Sequence, residues 1–538
     1  MKFDYIIVGA GTAGCVLANR LTASGEFSVL LIEAGGSDRH PLVQIPGGYL
    51  KLFRSSRDWQ FCTTPQAELN DRQIYLPRGK TLGGSSSTNA MAYVRGNRND
   101  YDGWASLGNP GWAYDDVLPY FIKSEHNEQA SELDDGYHGQ QGPLNVTFQN
   151  RFQTPFSNAF IESGAAIGLK PNRDYNGLSQ TGIGKLQFTI RNGQRFSCAS
   201  AFLHPALGRK NLHLTTGGTV ARVLIEKNRA CGVELQSGQK METCRAEREV
   251  ILAAGAFGSP QILMLSGVGD PQELARHRIK VQASLPGVGR NLQDHLMFPV
   301  CCSSPLRKGM NHYTTWYHQV LALMQFLLFR RGMMASSILE AAAFFNLEDL
   351  TRSPNFQLHF APMHLEDRYD WDKYHLKTFR TATDGFTFLP SLLQPQSRGI
   401  VRLRSSLPTD SLLIDPNFLS VPDDLRHLVQ GGKLAWEMLN HPAMKKMSRK
   451  IHLDWNPASD TDWARHIRKS VETIYHPVGT CSMGTDPWSV VDSELKVHGI
   501  SSLRVVDASI MPRIVTGNTN APVCMIAEKG ASMILGDD

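Results

Sequence analysis

The run Gly9-Ala10-Gly11-Thr12-Ala13-Gly14 constrains the fold of this chain more than any other feature. It follows a short apolar stretch, Tyr5-Ile6-Ile7-Val8, that suits a fully buried parallel strand. It opens an Ala- and Leu-rich stretch, 13–23, that reads as a helix. With a second strand expected over 28–32, the first 33 residues predict a βαβ unit. In that setting G-x-G-x-x-G has a mechanical meaning. Gly9 permits a tight turn, Gly11 lets backbone approach a pyrophosphate, and Gly14 lets the helix pack on the sheet. The helix N-terminus then presents N–H groups and a positive dipole end to the phosphates. Glu33 stands nineteen residues past Gly14, at the end of the second strand. A carboxylate there can accept hydrogen bonds from ribose hydroxyls. It would repel a 2′-phosphate, which argues against NADP.

The rest of the composition narrows the class. The 538 residues carry 55 Lys+Arg and 50 Asp+Glu, a formal charge of +5, which excludes a polybasic nucleic-acid binder or an acidic tail. Hydrophobic residues at 41% and charged residues at 20% fit a folded chain with a large core. Nine cysteines are too few, and odd in number, for a disulfide framework, so a reducing compartment is expected. Cys301-Cys302 reads as two ordinary thiols. The N-terminus shows no basic-then-apolar leader, and no stretch reaches the ~18 apolar residues of a membrane span. The expected location is the cytoplasm, with peripheral contact to the inner membrane as an option.

Strand-Gly-helix signals recur through the chain. Alternating strands are expected over 210–236, a buried strand over 249–254 and a helix from Pro260 to Leu265. Strands follow at 400–403 and 412–414, then a helix over 423–439. The chain ends with a strand at 503–507 and a helix from Pro522 to Leu535. This distribution predicts one cofactor domain assembled from 1–155, 200–295 and 485–538, with a loop excursion at about 35–75. A second domain, for substrate, is expected from 156–199 and 296–484.

Two longer blocks are more specific. One is Arg78-Gly79-Lys80-Thr81-Leu82-Gly83-Gly84-Ser85-Ser86-Ser87-Thr88-Asn89, continuing to Tyr93-Val94-Arg95-Gly96. The other is Gly255-Ala256-Phe257-Gly258-Ser259-Pro260, continuing to Gly267-Val268-Gly269. They closely resemble both signatures of the glucose-methanol-choline (GMC) oxidoreductases, in the bacterial choline dehydrogenase and alcohol dehydrogenase branch. The resemblance runs on through Tyr101-Asp102-Gly103-Trp104, Gly287-Val288-Gly289-Arg290-Asn291-Leu292-Gln293-Asp294-His295 and Val506-Asp507-Ala508-Ser509. The fingerprint alone does not separate NAD from FAD. Glu33-Ala34-Gly35-Gly36 leans toward FAD by association, and the resemblance implies FAD. It implies an α/β fold: a Rossmann-type FAD domain of discontinuous segments, plus an α+β substrate domain with an antiparallel sheet backed by helices. Carried over by position, Gly11, Thr12, Ala13, Glu33 and the adjoining Ala34 would hold the diphosphate and ribose. Leu82, Gly83, Ser85, Asn89 and Met91 would pass near the diphosphate and flavin ring. Val220 would contact adenine and Ala254 the adenosine side. Asp507, Ala508 and Thr519, with Asn520 beside it, would approach the ribityl chain and ring. Some choline oxidases attach the flavin through a His where this chain has Thr88, so dissociable FAD is implied.

His476-Pro477-Val478-Gly479-Thr480 resembles the family's active-site segment. Oxidising an alcohol requires removal of its hydroxyl proton as hydride leaves carbon, and a positioned imidazole suits that step. Within Gly517-Asn518-Thr519-Asn520, the resemblance makes Asn518 the partner of His476, donating to the developing alkoxide, with Asn520 the near competitor. The expected reaction is FAD-dependent oxidation of an alcohol to an aldehyde or ketone, with hydride passing to flavin N5 and electrons to a quinone or other non-oxygen acceptor. An alcohol oxidase, or a lyase or photodecarboxylase on the same scaffold, is the alternative.

Other segments carry less. The apolar stretch from Val320 to Phe329, followed by Arg330-Arg331, reads as a helix packed in the substrate domain, the favoured reading, or as a membrane-docking surface. Glu340 could meet a cationic head group or serve structure. His359 and His364 are not expected to bind metal. Residues 369–375 read as an insertion or a gate.

Overall fold

The computed structural model describes residues 2–365, 383–453 and 455–536. The expected insertion or gate at 369–375 lies outside them. Lys2–Val8 is the centre of a seven-stranded sheet. Val29–Glu33 lies parallel on one side, with Leu212–Thr216 parallel beyond it. On the other side lies Lys240–Leu252, whose far end pairs in parallel with Leu503–Val505. Ile6, Ile7, Val29 and Leu31 are fully buried, as continuous apolar strands between helical layers require. Lys240–Leu252 changes partner midway. Its first half runs antiparallel to Arg229–Ser237, which pairs in turn with Thr219–Glu226. The strand therefore begins nine residues before the 249–254 predicted from sequence. Its charged first half faces solvent, so it lacks the apolar signal of a buried strand.

Helix Gly255–Leu265 starts earlier than the predicted Pro260 and carries that proline inside. Pro260 cannot donate to the Ala256 carbonyl, which accepts instead from the Thr480 hydroxyl at 2.6 Å. A residue of the expected active-site segment thus repairs a helix of the first sheet. The final helix begins at Asn520 and packs beside Thr12–Leu21, where Arg20 pairs with the fully buried Glu528 at 2.6 Å.

An eight-stranded antiparallel sheet forms the second unit. Phe356–Ala361 and Gly385–Leu392 are at its centre. Alternation assigns its faces. Leu358, Phe360 and Phe388 pack against Phe160, Leu428 and Trp463 of three covering helices, Phe156–Ala166, Pro422–Asn440 and Asp460–Ser470. The intervening His359, Ala361 and Leu389 face a cavity. The fold is therefore α/β, with a nucleotide-type sheet built from distant segments and an α+β unit whose sheet is backed by helices. Val401, Leu403, Leu412 and Ile414, placed by the sequence in the second unit, pack in the core of the first. Their strands pair with Arg290–Leu292.

A buried ionic cluster ties residues 95–174 together. Arg95 donates to Glu125 at 2.8 Å, and His138 bridges Glu125 at 3.1 Å and Asp174 at 2.9 Å. Burial alone would lower the His138 pKa, but hydrogen bonds to Asp174 and Glu125 outweigh it and raise the pKa to about 9. The stabilisation from this raised pKa is fully present below pH 6.5 and is lost as pH rises through about 9. His138→Ala should lower the unfolding free energy by about 3–5 kcal/mol at pH 6. Urea melts should show the gap between wild type and variant shrinking as pH is raised past about 9.

Candidate active site

A cavity of about 430 Å³ is lined from both sheets. One end is walled by Gly9, Gly11, Glu33 and Val220, and the other by Met297, His359, Leu389 and His476. Three helices, Thr12–Leu21, Gly255–Leu265 and Asn520–Leu535, begin on its wall, and none of the three has a side-chain cap. Their positive ends therefore face the cavity, although the first N–H of Gly255–Leu265 is already taken by Asp507.

The glycines of the turn at 9–14 fit a large anion. Gly9 has φ +101°, and a Cβ there would stand 2.5 Å from the Ala253 carbonyl oxygen. A Cβ on Gly14 would stand 1.8 Å from the Gly9 carbonyl oxygen, so this glycine serves helix-on-strand packing. A Cβ on Gly11 would meet nothing closer than 3.9 Å, which leaves its cavity side open. Thr12 Oγ1 donates to Asn520 Oδ1 at 2.7 Å, fastening the glycine turn to the final helix. Glu33 accepts from the backbone N–H of Ala10 at 2.9 Å and of Gly35 at 2.8 Å. Burial raises its pKa to about 7, against the pull of those two donors.

At the other end two histidines form a chain whose tautomers are fixed. His295 Nε2 lies 3.0 Å from the Leu393 carbonyl, which can only accept, so Nε2 carries the proton. Burial lowers the His295 pKa to about 3, so the ring is neutral and its Nδ1 accepts. That Nδ1 faces His476 Nδ1 at 3.0 Å, so His476 is protonated at Nδ1. Burial first, then His295 and Arg78, hold the His476 pKa well below its ordinary 6.5. Its Nε2 lone pair therefore points outward, 3.3 Å from Asn518 Nδ2. Asp294 fixes the main chain here, accepting from His476 N–H at 2.8 Å and from the Thr473 hydroxyl. Tyr475, at φ +68°, is held in the left-handed region by its N–H donating to Thr473 Oγ1 at 2.7 Å. That turn aims His476 into the cavity.

Most of the residues singled out from sequence meet on this wall. Gly9, Gly11, Thr12, Ala13, Glu33, Ala34, Ser85, Asn89, Met91, Val220, Ala254, His476, Asp507, Ala508, Asn518, Thr519 and Asn520 all line it. Gly14, Leu82 and Gly83 do not. Leu82 is in the core, and Gly83 N–H donates to the Ala10 carbonyl at 2.7 Å, so Gly84 takes the wall position. The N-x-N ambiguity resolves geometrically, since Asn518 adjoins His476 and Asn520 binds Thr12. Asp507 is spent within the protein, accepting from Gly255 N–H at 2.8 Å and Ser509 N–H at 2.8 Å. Glu340 leaves the cavity altogether and binds Thr154 through both oxygens at 2.8 Å. Four residues had no role assigned from sequence: Asp294, His295, Arg195 and His359. Arg195 holds Asn89 Oδ1 at 2.8 Å and Val43 O at 2.9 Å. His359 lines the cavity with its Nε2 buried and unpartnered, and the structure gives no sign of a metal role among the described residues.

An anion cradle of a glycine turn and helix N-termini beside a neutral, outward-facing imidazole defines a dinucleotide-dependent oxidoreductase. The GMC oxidoreductase N-terminal model matches residues 3–297, and the C-terminal model matches 395–527. The chain belongs to the GMC oxidoreductases. It is 42% identical over 538 residues to an alcohol dehydrogenase [acceptor] of Pseudomonas putida, covering 99% of this chain and 96% of the relative. It is 40% identical over 542 residues to an oxygen-dependent choline dehydrogenase of Vibrio vulnificus, covering 99% and 94%. Among solved structures, it resembles a pyridoxine 4-oxidase from Mesorbium loti (TM-score 0.88, 31% identity, 98% of each chain). It also resembles a formate oxidase of Aspergillus oryzae RIB40 (TM-score 0.92, 27% identity, 100% and 98%). The chain is an FAD-dependent oxidoreductase acting on alcohols.

Gly14→Ala should cost about 1–3 kcal/mol or more through overpacking and leave the purified protein without flavin absorbance. Gly36→Ala, where a Cβ meets nothing within 4 Å, should keep both stability and colour.

Proposed function

We propose that this enzyme oxidises apolar alcohols and passes the electrons to a quinone or another small non-oxygen acceptor. The cavity carries this reading. Around His476 it is walled by Leu50, Phe53, Met297, Ile338, Leu339 and Leu389. Its carboxylates are engaged. Asp58 accepts from the N–H groups of Arg54 and Arg78 at 3.0 Å, and Glu472 pairs with Arg72 at 2.7 Å. An alkyl or aryl alcohol gains by filling such a wall, at roughly 25 cal/mol per Å² buried. A quaternary ammonium finds no uncommitted carboxylate among the described residues that line it. The proposed location is cytoplasmic, with contact to the inner membrane from its periphery.

Gly11, Thr12, Glu33, Ser85, Asn89, Val220, Ala508 and Thr519 would hold FAD, which supplies the hydride acceptor. The helix ends at Thr12 and Asn520 favour its diphosphate and an anionic reduced ring. His476 Nε2 takes the hydroxyl proton of the substrate. Asn518 Nδ2, now beside that nitrogen, donates to the alkoxide oxygen. His295 keeps the reactive tautomer by accepting from His476 Nδ1, and the apolar wall excludes water. The two domains take the segments given from the sequence, with the strands at 399–415 on the cofactor side.

Anaerobic addition of an alcohol panel to the yellow protein tests this. Primary aliphatic or aromatic alcohols should bleach the flavin, and choline should not. Readmitted oxygen should restore the colour only slowly, with one peroxide formed per flavin reoxidised, whereas an added quinone should restore it rapidly and without peroxide. Acid precipitation should release the flavin, since Thr88 offers only a hydroxyl on the wall. Bleaching by choline alone would overturn the substrate class, and rapid stoichiometric peroxide would make the enzyme an oxidase.

The base must be unprotonated, and its pKa is depressed. Single-turnover flavin reduction should therefore be flat through pH 6.5 and fall only well below it. His476→Ala should slow reduction by about 10²–10⁴-fold, and Asn518→Ala by about 10²–10³-fold.

A further inference from the structure

The stretch from Val320 to Phe329, expected mainly as a packed segment, is instead the surface helix Trp316–Phe329. Only Ala322 and Phe326 are buried. Trp316 is 77% exposed, Leu328 69%, Phe329 65%, Leu321 59% and Leu327 59%. Val320 and Met324 are exposed as well. An ordinary surface helix hides its apolar stripe and shows a polar face. This helix shows an apolar face, which marks an interaction surface.

We propose that this helix lies in the interface of an anionic phospholipid bilayer and docks the enzyme there. Charge selects that occupant. From Cys301 to Leu339 the sequence has four basic side chains, Arg307, Lys308, Arg330 and Arg331, and no Asp or Glu. Two copies of this face would bring like charges together, whereas anionic headgroups complement them. The ends fit as well. Trp316 and Tyr317 at one end and Arg330-Arg331 at the other are the residue types that sit at headgroup level. At fourteen residues the helix is about 21 Å long, which suits lying in the interface rather than crossing it. No helix among the described residues is long and apolar enough to cross a membrane.

The docked face leads to the active-site cavity. The helix packs on the turn Met333–Ala335, which packs on Pro46–Leu52. Tyr49, Leu50 and Leu52 of that second turn, with Ile338 and Leu339 just beyond the first, wall the cavity. Apolar molecules dissolved in the bilayer thus meet the protein next to the apolar wall. This delivery step rests on the proposed substrate class, while the docking itself does not.

Sedimentation of the FAD-loaded protein with vesicles tests docking. Wild type should bind vesicles of phosphatidylcholine containing phosphatidylglycerol, and bind pure phosphatidylcholine more weakly. Leu321→Glu with Leu328→Glu should weaken binding by about tenfold or more. Lys308→Ser with Arg331→Ser should remove the preference for anionic vesicles. Both variants should keep the wild-type flavin spectrum and the wild-type rate of flavin reduction by a water-soluble alcohol. Absence of vesicle binding, or binding that the leucine variant leaves unchanged, would overturn the proposal. So would light scattering that shows a dimer broken by the leucine variant, with no vesicle binding, because a second copy would then cover the helix. Flavin reduction without vesicles tests the reaction separately, so the failure of one reading is distinguishable from the failure of the other.

Discussion

The active end of this structure depends on one hydrogen bond, His295 Nδ1 to His476 Nδ1 at 3.0 Å. Two like nitrogens can bond only if exactly one carries the proton, and the Leu393 carbonyl decides which. A carbonyl oxygen has no proton to give, so the choice propagates along the chain to His476 Nε2. Burial keeps both rings neutral, because a proton added to either would break the sequence of donors and acceptors. The surroundings serve that neutrality. The left-handed Tyr475, the clamp from Asp294 and the apolar wall all hold the ring where water does not compete for it.

The cavity is arranged so that its negative groups are committed elsewhere. Glu33 binds the glycine turn, Asp507 binds the start of helix Gly255–Leu265, and Asp58 and Glu472 bind neighbouring arginine segments. Among the described residues, what remains facing inward on the Gly9 side includes backbone N–H groups and helix N-termini. Buried Arg195, whose Nη2 has no partner in the structure, adds positive charge beneath Asn89. This explains how one cavity takes a dianionic diphosphate and a reduced flavin at one side and an uncharged alcohol at the other. In the proposed reading the electrostatic preference belongs to the cofactor, and the substrate end would select by apolar contact.

Local sequence carried part of this. Gly9 to Gly14 is legible because a strand, a turn and a helix follow one another within a few residues. The final Asn518-Thr519-Asn520 is legible as a segment, but the division of labour between its two amides is not, because it depends on Thr12, about 500 residues away. His295 is more distant from recognition still. It sits in a motif with no local mark of function, and its role arises only where Leu296–Met297 pairs with both Leu392 and Thr473. Glu340 was open to a cationic head group or to structure, as its apolar neighbours suit a cavity wall and equally a buried strand, and its bonds to Thr154 give it the structural role. The helix at 316–329 looked like core because apolarity without a polar face normally means burial. Sequence composition does not reveal which solvent a helix faces.

A depressed pKa would seem to make His476 a poor base. The quantity that governs proton transfer, however, is the difference between the imidazolium and alcohol pKa values. Beyond burial, the charge of Arg78 disfavours the imidazolium, and it would favour the alkoxide that forms beside it. To first order the two effects offset each other, since both groups sit in the same positive field. Burial acts differently, because it penalises both charged forms and so opposes separating the charges. In the proposed mechanism Asn518 answers that penalty directly, by donating to the one new anion beside His476. The depression therefore leaves the intrinsic driving force largely intact. Its main effect falls on the resting enzyme, where it keeps His476 unprotonated and the chain from Leu393 to Asn518 in its single working order.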